Sequence, residues 1–166
     1  MKIKLFAVLA AVLSLGVLML GMPAQAMGRP GNTIFATAAA VNQANGEFDY
    51  LIKALELTGL GSAVDGRRQL TVFAPTDAAF ETTLGLSDPS QLESLPVEEL
   101  RSVLLYHVSP GYRTSTAVTR SKMINTLQGS SISVNGTVLN GSTNIVSPDV
   151  YASNGVIHVI DSVLLP

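Results

Sequence analysis

From Phe48 the apolar residues Phe48, Leu51, Ile52 and Leu55 recur at i, i+3, i+4 and i+7, which places them on one face of a helix. Gly59 and Leu60 follow as a Schellman-type stop with its apolar contact. The preceding stretch has the same spacing in Ile34, Phe35, Ala38 and Val41. It starts after Thr33, whose hydroxyl can accept from free helix amides, and it ends at Asn45-Gly46. A later helix opens at Pro96, sets Glu98 and Glu99 at its positive end, and lines one face with Leu100, Val103, Leu104 and His107. Ser109-Pro110-Gly111 terminates it. Tyr106 is turned roughly 100° from His107 around the axis. It is therefore expected on the flank of that face, with its hydroxyl near water.

Between these helices the pattern changes. Leu70-Thr71-Val72-Phe73-Ala74 is β-branched and aromatic, as a buried strand requires, and Pro75 cannot donate to a ladder, so the strand is expected to stop there. Thr76 or Asp77 can cap a helix that begins with Ala78, Ala79 and Phe80. Gly61 to Gln69 reads as a solvated turn, its Arg67 and Arg68 a wet loop rather than an anion site.

Beyond Gly111 the spacing is that of short strands: Lys122 to Leu127, Ser131 to Val134, Thr137 to Leu139, Asn144 to Val146 and Gly155 to Val163. Asn135-Gly136 predicts a type I′ hairpin with Ile132 opposite Leu139 and Val134 opposite Thr137, and Asn140-Gly141 repeats the signal. In the last strand Val156, His158 and Ile160 share one face and Ile157 and Val159 the other. Apolar residues on both faces predict a central or covered position. Helices first and strands later, joined by tight turns, argue for an α+β fold with a largely antiparallel sheet and the N-terminal helices packed on it.

The first residues change the compartment. Lys2 and Lys4 precede an apolar run from Leu5 to Leu20, and Pro23-Ala24-Gln25-Ala26 supplies a small-x-small cleavage pattern. Residues 1–26 are read as a secretory signal peptide and 27–166 as one domain, with a membrane anchor as the alternative for the apolar run. The chain is then expected to be secreted, extracellular or periplasmic, without stable membrane insertion after cleavage. The 166 residues carry no cysteine, which excludes disulfides, thiol catalysis and zinc–thiolate sites. Net charge is −2, and without Lys2 and Lys4 there are 8 basic against 12 acidic residues, so nucleic acid is not an expected partner.

Three blocks together resemble the fasciclin-type (FAS1) domain family. They are Thr71-Val72-Phe73-Ala74-Pro75-Thr76-Asp77-Ala78-Ala79-Phe80, the Tyr106-His107 pair, and Asn154-Gly155-Val156-Ile157-His158-Val159-Ile160-Asp161 with Val163-Leu164-Leu165-Pro166. With the helices between them the resemblance covers about Thr33 to Pro166. It implies a wedge-like β-sandwich with helices packed on it, and a role in extracellular adhesion through protein or glycan contacts. The family associates the Tyr106-His107 pair with adhesion. No counterpart of the acidic-aliphatic integrin-contact motif of animal members is present.

The candidate sites carry competing readings. His107 shares its helix's apolar face, as a hydrogen-bonded core residue would, which leaves Tyr106 the better contact candidate. The signature residues Thr71, Phe73, Pro75, Thr76, Asp77, Phe80, Asn154, Gly155, His158 and Asp161 are read as structural, with Asp77 a helix cap rather than a catalytic acid. A triad of His158, Asp161 and Ser162 fails because strand residues three apart point to opposite faces. With two histidines and no carboxylate cluster at ligand spacing, neither a metal nor another cofactor is expected. Asn135-Gly136-Thr137 and Asn140-Gly141-Ser142 are formal glycosylation sequons. The expected function is a non-enzymatic secreted adhesion or matrix-interaction module whose partner is a cell-surface or matrix protein or glycan. The rival is a binder of a small apolar ligand or sugar in a cleft between helices and sheet.

Overall fold

The structure is a computed structural model that describes residues 31–166; the expected signal peptide, 1–26, lies outside the described residues. Three helices come first: α1 (Ile34–Asn45), α2 (Asp49–Thr58) and the short α3 (Gly61–Val64). Strand β1 (Leu70–Pro75) leads into α4 (Asp77–Leu84), and a 3-10 turn at Pro89–Ser94 precedes α5 (Val97–Tyr106). Then follow β2 (Val108–Pro110), α6 (Ser115–Arg120), β3 (Met123–Asn125), β4 (Ser131–Asn135), β5 (Val138–Leu139), β6 (Thr143–Ala152) and β7 (Gly155–Ile160).

The seven strands form one sheet in the order β2-β1-β7-β6-β5-β4-β3, antiparallel throughout except for the β1–β7 pair. Sheet and helices together make an α+β arrangement, as the order of helical and strand patterns along the chain predicts. Its two ends meet, because the Leu127 N–H donates to the Val108 carbonyl (2.8 Å) just beyond β3. Alternate residues of the central strands therefore enter two separate cores. Leu70, Val72, Ala74, Ile157 and Val159 pack under the helices, while Phe73 and Ile160 join Tyr106, Ile124, Ile132, Leu139 and Leu164 inside the curl of the sheet. Every residue of β7 is buried, as expected from its two apolar faces.

Helix ends follow the sequence closely. Thr33 accepts from the Ala36 amide, and Gly46, Gly59 and Gly85 take the left-handed conformation at the C-termini of α1, α2 and α4. The Leu60 amide bonds back to the Leu55 carbonyl (3.1 Å), completing the Schellman motif after α2.

Several elements differ from expectation. The hairpin loop is Gly136-Thr137, one residue later than predicted, so that Val134 pairs with Leu139 and Asn135 with Val138. This register sets two buried side chains opposite each other and leaves Thr137 in water, whereas the predicted one faces Val134 with a threonine. Only Gly136 of the two loop residues has positive φ (62°), as a type II′ turn has and a type I′ turn does not. Strand β6 runs six residues past Val146, because two register shifts absorb Ser147-Pro148-Asp149 as a bulge where the sequence reads as a break. Strand β2 and helix α6 occupy segments read only as a helix stop and a connection. The last strand ends at Ile160 rather than Val163.

Candidate functional site

Tyr106 and His107 close α5 and point into the fold. His107 is 1% exposed, and both of its ring nitrogens are engaged: Nδ1 with the Val103 carbonyl (2.7 Å) and Nε2 with the Leu164 amide (2.9 Å). A carbonyl only accepts and an amide only donates, so the ring is the neutral Nδ1–H tautomer. Burial holds its pKa down to about 4, against the modest upward pull of the Val103 carbonyl.

Tyr106 does not sit on an exposed flank. It is 4% exposed, and its hydroxyl donates to the Ser131 carbonyl (3.1 Å) while accepting from the Asn140 side-chain amide (3.0 Å). The face opposite the helix core is not water but the interior of the curled sheet, so a side chain on the edge of one core enters the other. The expected exposed hydroxyl is thus replaced by a bond that ties α5 to β4 and to the turn after β5.

His158 is fully buried and stacks on Phe73 with ring centroids 5.7 Å apart. Its Nδ1 accepts from the Asp149 amide (3.2 Å) and its Nε2 faces the Arg113 carbonyl (2.9 Å), so it is the opposite neutral tautomer, Nε2–H. Burial lowers its pKa as well. Asp149 in turn stands in the β6 bulge at φ 59° and accepts from the backbone amide (2.7 Å) and hydroxyl of Ser115, capping α6. One histidine therefore connects the bulge, the loop after β2 and, through Asp149, a helix start.

The other signature residues are equally occupied. The Asn154 carbonyl oxygen Oδ1 accepts from the Ile34 amide (2.8 Å), and Nδ2 donates to the carbonyls of Val64 (2.7 Å) and Gly66 (2.8 Å). Gly155 admits no side chain, since a Cβ there would lie 1.9 Å from the Leu70 carbonyl oxygen. Thr71 donates to the Gly111 carbonyl (2.8 Å) and accepts from the Arg113 amide (2.9 Å). Thr76 caps α4. Asp77 caps not its own helix but α2, accepting from the amides of Tyr50 (3.0 Å) and Asp49 (3.2 Å), because the α2 N-cap position is Phe48 and has no acceptor. Phe80 stacks on Tyr50 at 5.4 Å, and Pro75 pairs with Ile160 as the last residue of β1. Asp161 accepts from the backbone and side-chain amides of Asn144, both at 2.8 Å.

The interface between helices and sheet encloses about 20 Å³ of apolar space, bounded by Ile34, Leu55, Val72 and Ile157 among others. That is room for about one water, against roughly 300–1,000 Å³ in small-molecule pockets. The larger hollow lies outside. Beside β2, Arg67, Arg68, Leu70, Pro110 and Leu127 line an open groove of about 560 Å³. The arginine pair could have suggested it, but adjacent arginines in a Gly-containing turn look the same whether or not the turn borders a groove. Tyr112, in the loop after β2, and Tyr151, on β6, are both exposed and stack with centroids 6.4 Å apart. At the sequons, Asn135 is exposed at the end of β4, whereas the Asn140 side-chain nitrogen is bonded to Tyr106.

Comparison with known proteins is consistent with this geometry. Residues 46–166 match the family model of the Fasciclin domain. The chain is 35% identical over 164 residues to protein sll1483 of Synechocystis, covering 89% of each chain. It is 33% identical to immunogenic protein MPB70 of Mycobacterium bovis, covering 67% of this chain and 64% of that one. Among solved structures, the FAS1 domain pair from the insect cell adhesion molecule Fasciclin I superposes with a TM-score of 0.65 at 23% identity, over 82% of this chain and 52% of that one.

Proposed function

The chain belongs to the Fasciclin domain family, and on that premise we propose that it is a secreted, non-enzymatic adhesion module whose partner is a cell-surface or matrix protein or glycan. The observation that carries this reading is the complete use of the signature side chains inside the fold. Both histidines spend both ring nitrogens on backbone groups, so neither has a nitrogen left to take a proton from a substrate. Tyr106 and His107 act as a frame in this reading: they hold α5, the β5–β6 turn and the C-terminal segment in place, and the partner meets the outer surface they support.

That Fasciclin I is a cell adhesion molecule supports the same direction. The cleft-binding alternative draws no support from the helix–sheet interface, where the space is about 20 Å³.

The test is retention of the purified protein on intact cells and on immobilised cell envelope or matrix. Saturable retention, competed by free protein, is expected. Lack of saturable retention on all of these surfaces, or a small molecule co-purifying in stoichiometric amount, would overturn it.

A further inference from the structure

We propose that the groove beside β2 binds an anionic polysaccharide, with Arg67 and Arg68 taking its carboxylate or sulfate groups and the exposed Pro110 and Leu127 meeting the C–H faces of its sugar rings. The inference rests on the adhesion reading and specifies its partner.

Three observations carry it. Arg67 and Arg68 are exposed on the groove, and the ion pair found among the described residues joins Lys53 to Glu93 (2.7 Å), so neither arginine is neutralised within the fold. Two planar guanidinium forks lining one groove suit oxyanions spaced along a polymer, and a cleft concentrates their field. With a chain net charge of −2, attraction of a polyanion must come from this local pair.

The groove is also built in advance. The Gly66 carbonyl is held by the Asn154 side chain, the Gln69 carbonyl accepts from the Gly111 amide (2.8 Å), and the Leu70 amide donates to the Asn154 carbonyl (3.0 Å). The arginine backbone is thereby fixed on both sides. Opposite it, the Leu127 amide is bonded to Val108, so a side chain that is 42% exposed stands on anchored backbone. Binding then costs little ordering of the protein.

A polysaccharide fits better than an acidic peptide that adds as a strand. Pro110 has no N–H to offer, and the Val108 carbonyl already takes the Leu127 amide, so this edge lacks the free ladder groups that strand addition needs. Recognition is left to charge and to apolar contact, which a chain of uronic acid rings supplies on opposite edges of each ring.

The experiment is calorimetric titration of the full protein with an oligogalacturonate, beside a neutral oligoglucan of equal length and a poly-glutamate peptide, at low and high salt. The oligogalacturonate is expected to bind, and to bind more weakly as salt rises. The double variant Arg67→Gln/Arg68→Gln should weaken it by about tenfold or more, as loss of two charge-assisted contacts implies, while Arg120→Gln on α6 leaves it unchanged. Arg67→Lys/Arg68→Lys should fall between, keeping charge and losing the fork. Thermal melts check that each variant is folded. Equal affinity of wild type and double Gln variant, equal binding of the neutral glucan, or preference for poly-glutamate would each overturn the proposal. Retention on cell envelope is measured in parallel. If it persists in the double Gln variant while no oligogalacturonate binds, the groove assignment falls and the adhesion reading stands; if wild type is not retained but binds the oligosaccharide through the arginines, the reverse holds.

Discussion

Gly66 and Arg67 are neighbours in sequence, yet they belong to opposite regimes of the molecule. The Gly66 carbonyl is bonded to the buried side chain of Asn154, one of three bonds by which that residue pins α1, the α3 turn and the start of β7 together. Arg67 and Arg68 sit on the same turn with exposed, uncompensated charge. In the buried frame, the polar side-chain atoms of Asn154, His107 and His158 are each matched to a backbone partner, so a change there is paid in stability. On the groove the polar atoms are matched to nothing internal, so a change there should leave stability alone and alter only what the surface can hold.

The sharpest way to break this contrast is Gly155→Ala. Its methyl would meet the Leu70 carbonyl, which lies in the central parallel pair and cannot move without opening the β1–β7 ladder. A loss of roughly 4 kcal/mol or more is expected, a large share of the roughly 5–15 kcal/mol that stabilises a domain. A cooperative thermal melt within a few degrees of wild type would refute the close approach. Asn154→Ala comes next. It strands the Ile34 amide and the Val64 and Gly66 carbonyls, and a cost of about 2–5 kcal/mol in denaturant unfolding is expected.

The histidines give the contrast a pH dependence. Well above pH 6.5, from about pH 7.5 upward, His107 is neutral in both folded and unfolded chains, and no stability depends on its titration. As pH falls from there toward the folded value of about 4, the unfolded chain takes up the proton while the folded one cannot, so the folded state loses ground. The loss from His107 should be about 2 kcal/mol at pH 5 and about 3 kcal/mol once pH is below 4. His158 is shifted downward too and adds a loss of the same sign. Denaturant melts from pH 7.5 to 4 on wild type and His107→Gln measure it: the variant, neutral throughout, should show a shallower slope. An unchanged slope would mean that His107 is not the buried neutral ring described.

Tyr106→Phe should keep the ring packed but leave the Asn140 amide without its acceptor, a cost of about 1–2 kcal/mol. A change near zero would indicate a hydroxyl in water, as the helix pattern alone predicts. The smallest effect is expected on the other side of the contrast, where Arg67→Gln/Arg68→Gln should shift stability by no more than about 0.5 kcal/mol. A larger destabilisation would place those side chains in the frame after all.

Much of the frame is legible in the sequence. Thr33 and Gly46 bound α1, Gly59 ends α2, Thr76 opens α4, and β7 is covered on both faces, because each of these follows from local backbone chemistry or from side-chain period. The same local reasoning made His107 and His158 core residues. It failed where a residue's surroundings come from distant segments. Asp77 looked like a cap for the helix it begins, but the unsatisfied amides nearest its carboxylate belong to α2, 27 residues earlier. Asn135-Gly136 marked a turn correctly and its register wrongly, since the facing of Val134 by Leu139 outweighs the turn's own preference. Period along a helix can say which side of Tyr106 faces the first core; it cannot say that a second core, made largely by strands 18 to 54 residues downstream, fills the other side. The sequence by itself determined the bounds of α1, α2 and α4, the buried strands β1 and β7 and the family, because those depend on neighbours within a few residues or on side-chain period. Only the tertiary structure decided that Tyr106 is enclosed and that Arg67 and Arg68 border a groove with Pro110 and Leu127, because closing the sheet brings together side chains whose backbones are 40 to 60 residues apart.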